Sequence, residues 1–229
     1  MKFLYFIIII INTTYSQNYK LTCFGFHTTD IKQIIHEHGE IKYEIQNRGL
    51  MDMVWPANNT YSTIYNSKTF SIKSWRKKIQ QGTYKSSLKA EVNLNGNLLY
   101  DDKQLVELHG PVHTIFTMLA MVQSYSQEQI DTKWIPYEHQ GKTGRARFLW
   151  SDSLMIWDGK DSILCDHYRM DIDIVDSAYV IKNTKDYFMD NINDISYVKE
   201  LWVKRGEEKT IIQASAKNNW ITLLAQVIP

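Results

Sequence analysis

The chain has 229 residues, which is long enough for one large β-rich domain or two small ones. Apolar residues make up 44% of it and charged residues 22%, which excludes a disordered, collagen-like or coiled-coil protein. The formal net charge of +1 provides no overall field that would attract nucleic acid or anionic lipid. With 14 tyrosines and 7 tryptophans, the composition favours strands over helices.

The N-terminal segment has the features of a secretory signal peptide. Its apolar run is too short to span a bilayer, and the small residues Thr14 and Ser16 precede a suitable cut at Gln17. We therefore predict a signal peptide over residues 1–16 and a single exported β-rich domain over 17–229, periplasmic or secreted and without a transmembrane segment. A retained N-terminal anchor is the alternative. Cleavage removes one lysine and no other charged residue, so the mature chain carries no net charge.

Alternation of apolar and polar residues predicts a series of antiparallel strands. The first sheet strand is predicted from Glu40 to Asn47, where Ile41, Tyr43 and Ile45 share one face. Further strands are predicted at 60–65, 69–75, 87–94, 133–137, 145–150, 153–157, 163–175, 197–204, 210–216 and 220–228. The Asp- and Asn-rich segment from Asp186 to Ser196 is predicted to be a surface loop.

One main helix is predicted from Pro111 to Tyr125. Proline suits a first helical position, and apolar residues recur after it at steps of three and four. The expected fold is mostly β, with a single curved antiparallel sheet or half-barrel of about ten strands closing on this helix.

Motifs for catalysis and metal binding are weak. His36 and His38 lie two residues apart and would share a strand face, but no third metal ligand is identifiable. The segment 186–194 has the composition of a calcium loop without the glycine that its turn requires. A G-x-S-x-G motif and a phosphate-binding glycine loop are both absent from the sequence. We therefore predict no catalytic residue, no metal site, no cofactor and no enzymatic activity.

Two cysteines, Cys23 and Cys165, follow the predicted cleavage point. In an oxidising compartment they could form a disulfide, which would stabilise the chain by roughly 4 kcal/mol because the loop is long. A buried, inert thiol at Cys165 is equally compatible with its apolar neighbours.

The order of the segments resembles an exported bacterial family, the domain of unknown function 3108 family. The resemblance rests on the motifs Gly39-Glu40-Ile41-Lys42-Tyr43, Glu200-Leu201-Trp202-Val203 and Leu223-Leu224-Ala225-Gln226-Val227, with the helix from Pro111 between the first two. It implies a curved antiparallel sheet closing on a helix, similar in outline to periplasmic lipoprotein-carrier-like half-barrels, and it brings no catalytic residues.

Two classes of function then compete. The first is a binding or carrier module that holds an apolar, lipid-like ligand between the sheet and the helix. Six large apolar residues are the candidates for that site: Ile115, Met118, Leu119, Val122, Trp75 and Trp150. The second is a structural or envelope module with a fully packed core, whose partner is another envelope protein.

Overall fold

The computed structural model describes residues 14–101, 103–174 and 185–229. Its strands are β1 (Thr14–Cys23), β2 (Phe26–His36), β3 (Glu40–Asn47), β4 (Asn58–Tyr65), β5 (Ile72–Gln81), β6 (Tyr84–Val92), β7 (Leu98–Tyr100), β8 (Gln104–Val106), β9 (Ile135–His139), β10 (Lys142–Trp157), β11 (Ser162–Ile174), β12 (Val198–Lys204), β13 (Ile211–Lys217) and β14 (Thr222–Ile228). Its helices are α1 (Gly49–Val54), α2 (Ile115–Val122), α3 (Gln127–Ile130) and α4 (Tyr187–Asn193).

All of these strands belong to one antiparallel sheet, in the order β8-β7-β6-β5-β4-β3-β2-β1-β14-β13-β12-β11-β10-β9. Strands that are adjacent in sequence pair with each other up to β8 and again from β9, and the first strand pairs with the last. The sheet is not closed, because β8 and β9 remain its two edges within the described residues. The mostly β, antiparallel fold is confirmed, but the described part of the chain contains fourteen strands rather than about ten.

Two of the additional strands precede Glu40, which was wrongly predicted to open the sheet. Polar side chains face inward from both strands and interrupt the apolar alternation on which the prediction depended. The Thr29 hydroxyl donates to the Asn47 side-chain oxygen at 3.0 Å, and the side-chain oxygen of buried Gln17 accepts from the Tyr19 hydroxyl at 2.7 Å. Hydrogen bonds of this kind let polar groups occupy a buried strand face.

The predicted signal peptide lies largely outside the described residues, which begin at position 14. Strand β1 starts at Thr14, and Ser16 pairs with Ile34 of β2. The predicted cut between Ser16 and Gln17 therefore falls within β1. Cleavage there would remove the first residues of β1. The pairing of β1 with β14 would remain, because it starts at Asn18 of β1.

The segments predicted as separate strands at 145–150 and 153–157 form one continuous strand, β10. Its pairing with β11 shifts register between Trp150 and Asp152, and this bulge accounts for the break in the sequence pattern. In β11 the alternation is as predicted, with Tyr168, Met170 and Ile172 buried.

The main helix, α2, is present but shorter than predicted at both ends. It begins after Thr114, whose hydroxyl and that of Thr117 form a reciprocal capping box. Pro111 does not open the helix, because the two residues after it form backbone hydrogen bonds with β5 and β9. The Ile72 N–H donates to the Val112 carbonyl at 2.9 Å, and the His113 N–H donates to the Pro136 carbonyl at 3.0 Å.

The prediction of a surface loop at Asp186–Ser196 was wrong, because this segment contains α4. The carboxylate of Asp186 caps the helix by accepting from the Met189 N–H at 3.2 Å. Phe188, Met189 and Ile192 lie on one side of the helix and pack against the main core. Because Asp and Asn residues surround these three apolar residues, the sequence pattern did not indicate a helix here.

The buried apolar side chains form two clusters. The larger lies between the concave face of the sheet and α2, with α4 beside it. The smaller lies among β5 to β8 and includes Trp75 and Tyr100. Strand β9 stands between the two clusters, because Tyr137 belongs to the larger one whereas the next residue, Glu138, contacts Trp75 and Tyr100.

Both cysteines are free, so the structure does not contain the disulfide that the sequence allowed. Cys23 is half-buried at the end of β1, and Cys165 is buried in β11. Burial raises the pKa of the Cys165 thiol to about 11. This thiol therefore stays protonated at neutral pH.

Candidate ligand-binding cavity

An apolar cavity of about 150 Å³ lies between the concave face of the sheet and helices α2 and α4. Strands from both halves of the sheet contribute to its wall, namely β1, β2 and β3 on one side and β11 to β14 on the other. Its lining residues are Tyr19, Leu21, Ile31, Tyr43, Ile45, Ile115, Phe116, Leu119, Met170, Phe188, Met189, Ile192, Lys199, Glu200, Leu201, Ile211, Ala214, Ser215, Ala216, Leu223 and Ala225.

Small side chains on β13 and β14 create the space. Residues paired directly across an antiparallel ladder share a face. Ala214 pairs with Ala225, and Ala216 pairs with Leu223, so three alanines lie together on the inward face. At comparable inward positions β3 carries Tyr43 and Ile45, and bulky residues there fill the core. The cavity therefore lies beside the strands whose inward side chains are smallest.

Helix α2 borders the cavity with one of its faces only. Ile115, Phe116 and Leu119 follow one another around that face and line the cavity. Met118 and Val122 lie one turn apart on another face and are completely buried in the main core. Of the four candidate helix residues, the structure thus brings Ile115 and Leu119 to the cavity and places Met118 and Val122 in the packed core.

The two candidate tryptophans do not line the cavity. Trp75 belongs to the smaller cluster, where its indole N–H donates to the Glu138 carboxylate at 3.3 Å. Trp150 is half-buried at the margin of the main core. The structure therefore places neither of them at the site for which the sequence analysis proposed them.

Sequence reasoning missed the contribution of α4 altogether. Phe188, Met189 and Ile192 line the cavity, with Phe188 and Ile192 half-buried. The spacing of these residues is that of a short amphipathic helix, and it is the signal that was overlooked. The part of the cavity wall that β1 forms was also missed, because no strand was predicted before Glu40. Tyr19 and Leu21 of this strand line the cavity.

Two charged residues line the cavity, and one of them, Lys199, occupies an inward position on β12. Its ammonium donates to the backbone carbonyls of Asp194 at 2.7 Å and Tyr197 at 2.9 Å. Burial lowers the pKa of Lys199 to about 8. Glu200 also touches the cavity, but its carboxylate lies on the other face of β12, within reach of His167 and Ser215.

A buried ion pair anchors α4 against the sheet. The Lys77 ammonium and the Asp186 carboxylate are 3.2 Å apart, and both side chains are essentially inaccessible to solvent. The Tyr61 hydroxyl donates to the same carboxylate at 2.9 Å. At the other end of α4, the Tyr137 hydroxyl donates to the Asn193 side-chain oxygen. The cavity-lining helix is therefore fixed at both ends.

A second buried carboxyl group, Glu138, lies near this ion pair. It accepts hydrogen bonds from the Tyr100 hydroxyl, the Gly141 N–H and the Trp75 indole, yet burial raises its pKa to about 7. Burial also lowers the pKa of the adjacent His139 to about 3. The space here is about 30 Å³, roughly the volume of one water molecule. The groups of this cluster hydrogen-bond one another, so we assign the cluster to packing.

The histidine pair considered for metal binding is engaged elsewhere. The rings of His36 and His38 stack with centroids 5.2 Å apart. His36 Nδ1 lies 3.0 Å from the Thr14 hydroxyl, and His38 Nε2 lies 3.3 Å from the Glu40 carboxylate. Across the described ranges, no group of three or more metal-ligating side chains comes together.

These features define a β-barrel-like domain that encloses a helix and an apolar cavity. Neither a protein-family model nor a curated protein sequence matches the chain, so the particular resemblance to the domain of unknown function 3108 family receives no support. Among solved structures, the chain is similar to a crystal structure from Brucella abortus, described as a β-barrel-like protein of domain of unknown function DUF1849. The TM-score is 0.57 at 8% identity, over 93% of this chain and 94% of that chain, so the likeness concerns the fold alone. No described helix is long and apolar enough to cross a membrane.

Proposed function

We propose that this protein is a non-enzymatic, exported binding or carrier module for an apolar, lipid-like ligand. The observation that carries the proposal is the cavity of about 150 Å³ with its almost wholly apolar lining. Protein interiors are normally packed with few voids larger than a water molecule. Small-molecule sites usually lie in apolar cavities of this kind, including those in the mouths of β-barrels.

The size and chemistry of the cavity restrict the occupant. An engineered apolar cavity of about 150 Å³ in another protein stays dry and binds benzene. A single ring or a short acyl chain therefore fits, and a longer chain would extend out past the half-buried side chains of Phe188 and Ile192. Transfer of such a chain from water is favourable by about 0.8 kcal/mol for each buried methylene group.

The test is binding of a neutral apolar fluorophore, phenylnaphthylamine, to the purified protein; one of its rings fits the cavity and the rest extends out past Phe188 and Ile192, as a longer acyl chain would. We expect saturable binding with a blue-shifted emission, and displacement by medium-chain lipids. Extraction of the freshly purified protein followed by mass spectrometry should identify the natural occupant. If the protein neither binds the fluorophore nor retains any apolar molecule, the carrier function is wrong.

Export is part of the proposal and rests on the apolar N-terminal run and the small residues before Gln17. Sequencing the N-terminus of the protein recovered from the periplasm or the medium should give a chain that starts at Gln17. A chain that begins at Met1 would contradict export by cleavage.

A second candidate function is an envelope module that binds another protein. Helix α1 favours it, because it has no buried residue and leaves Leu50, Met53 and Val54 about 80% exposed. Replacing Leu50 and Met53 together by serine should then disrupt a complex isolated with the native protein while leaving fluorophore binding unchanged. A complex that survives the double substitution would exclude this surface as the binding site.

A further inference from the structure

Lys199 occupies an inward position on β12. It pairs with Met170 of β11 on one side and with Ala216 of β13 on the other, and both of these residues line the cavity. The side chain is only 6% exposed. The sheet therefore places a lysine side chain at the wall of a cavity whose other side chains are almost all apolar.

The hydrogen bonding of this ammonium is incomplete. An ammonium group has three donors. Two of them are used by the Asp194 and Tyr197 carbonyls, and none of the residues that the structure describes supplies an acceptor for the third. The two acceptors are neutral carbonyls, which satisfy hydrogen bonds but do not neutralise the charge.

The nearby charged side chains are engaged away from Lys199. The Asp194 carboxylate is bound to the Ser196 N–H at 2.8 Å. The Asp171 carboxylate is held by Arg147 at 3.0 Å and by Arg169 at 2.9 Å. A buried cation is costly unless it has a counter-charge, and none of these carboxylates is bound to it.

We propose that the ligand is a single-chain amphiphile with a carboxylate head, such as a free fatty acid, and that Lys199 binds this carboxylate while the chain occupies the cavity. The inference rests on the proposed function. A carboxylate supplies both the missing acceptor and the counter-charge. Its compact size favours it over a phosphate diester in a cavity of about 150 Å³.

The experiment compares octanoate with octanol as competitors of phenylnaphthylamine, because the two differ at the head group and share the chain. On the native protein we expect octanoate to compete about tenfold better or more, since hydrogen bonds to charged groups are the strong ones. Lys199→Met should abolish this preference, so that octanoate competes no better than octanol on the variant. Lys204→Met is the matched control, because it removes a positive charge from the opposite face of the same strand.

The possible outcomes separate the two proposals. If phenylnaphthylamine does not bind the native protein and the purified protein retains no apolar molecule, the proposed function itself is wrong. If it binds but octanoate and octanol compete equally, only the inference about the carboxylate is overturned. Octyl phosphate serves as a third competitor, and stronger competition by it than by octanoate would contradict a carboxylate ligand.

The substitution at position 199 also removes the hydrogen bonds to the carbonyls that follow α4. Thermal melting of each variant is therefore measured alongside binding. A folded Lys199→Met protein that still prefers octanoate overturns the inference. If this variant does not fold, the comparison of acid and alcohol on the native protein still tests the carboxylate, and Lys199→Gln, which keeps hydrogen-bond donors without the charge, tests the lysine.

Discussion

Filling the cavity from Ala225 should stabilise the protein and block its ligand at the same time. Ala225 faces inward on β14, between Leu21 of β1 and Ala214 of β13, and lines the cavity. Empty cavity volume costs about 24 cal/mol per Å³, so an unoccupied space of about 150 Å³ corresponds to about 3.6 kcal/mol of lost stability. In Ala225→Leu, a leucine that fills about half of this space should raise the free energy of unfolding by up to about 2 kcal/mol.

The assay is urea unfolding followed by tryptophan fluorescence, with phenylnaphthylamine binding measured on the same samples. The matched control is Ala146→Leu, because Ala146 also faces inward but is completely buried in the main core and away from the cavity. Overpacking there should cost about 1–3 kcal/mol. If Ala225→Leu is destabilised as much as Ala146→Leu, or if it still binds the fluorophore with the native affinity, the reasoning about the cavity is refuted.

The two buried charge sites give further predictions. Asp186→Asn leaves the Lys77 ammonium without its partner and should lower the free energy of unfolding by about 3–5 kcal/mol in urea titration, whereas replacing the pair with Leu and Met should cost less. An equal loss in the double variant would show that the unpaired charge is not the cause. Because burial raises the pKa of Glu138 from its ordinary 4.5 to about 7, the folded state retains a proton that the unfolded state releases between those values. Stability from this group is thus complete at low pH and falls as the pH rises through that window, by about 3 kcal/mol. Glu138→Gln should remove this decline when unfolding is compared at about pH 4 and about pH 8, and a variant with the native pH profile would contradict the assignment.

Local periodicity predicted strands well wherever one face is uniformly apolar. β3 was predicted from Glu40 to Asn47, as the structure has it, because Ile41, Tyr43 and Ile45 all face the core. The same signal failed for β2, where the inward face carries the polar residues Thr29 and Gln33. Their hydrogen-bonding partners, such as Asn47 on the next strand, are distant in sequence. A pattern within one segment cannot reveal such partners.

The candidate site was only partly accessible to the same reasoning. The apolar residues of α2 predicted that the helix would be buried. Because the helix is apolar on nearly every side, its sequence does not indicate which face packs in the core and which face borders a cavity. The orientation of the helix places Leu119 at the cavity and Met118 in the core. Which face borders the cavity depends on the positions of α4 and β14, and contacts between residues far apart in the chain set both positions.

The sequence by itself determined the antiparallel β character, the alternation that gives the sheet an inward face, and the presence of one apolar helix, because these follow from the spacing of side chains within single segments. Only the tertiary structure decided that the first strand pairs with the last and that α4 is held on the sheet by Lys77. It also decided the meaning of Ala214 and Ala225. An alanine on a strand is compatible with a solvent-facing surface, a close contact or an empty space, and the side chains across the barrel determine which of these it makes.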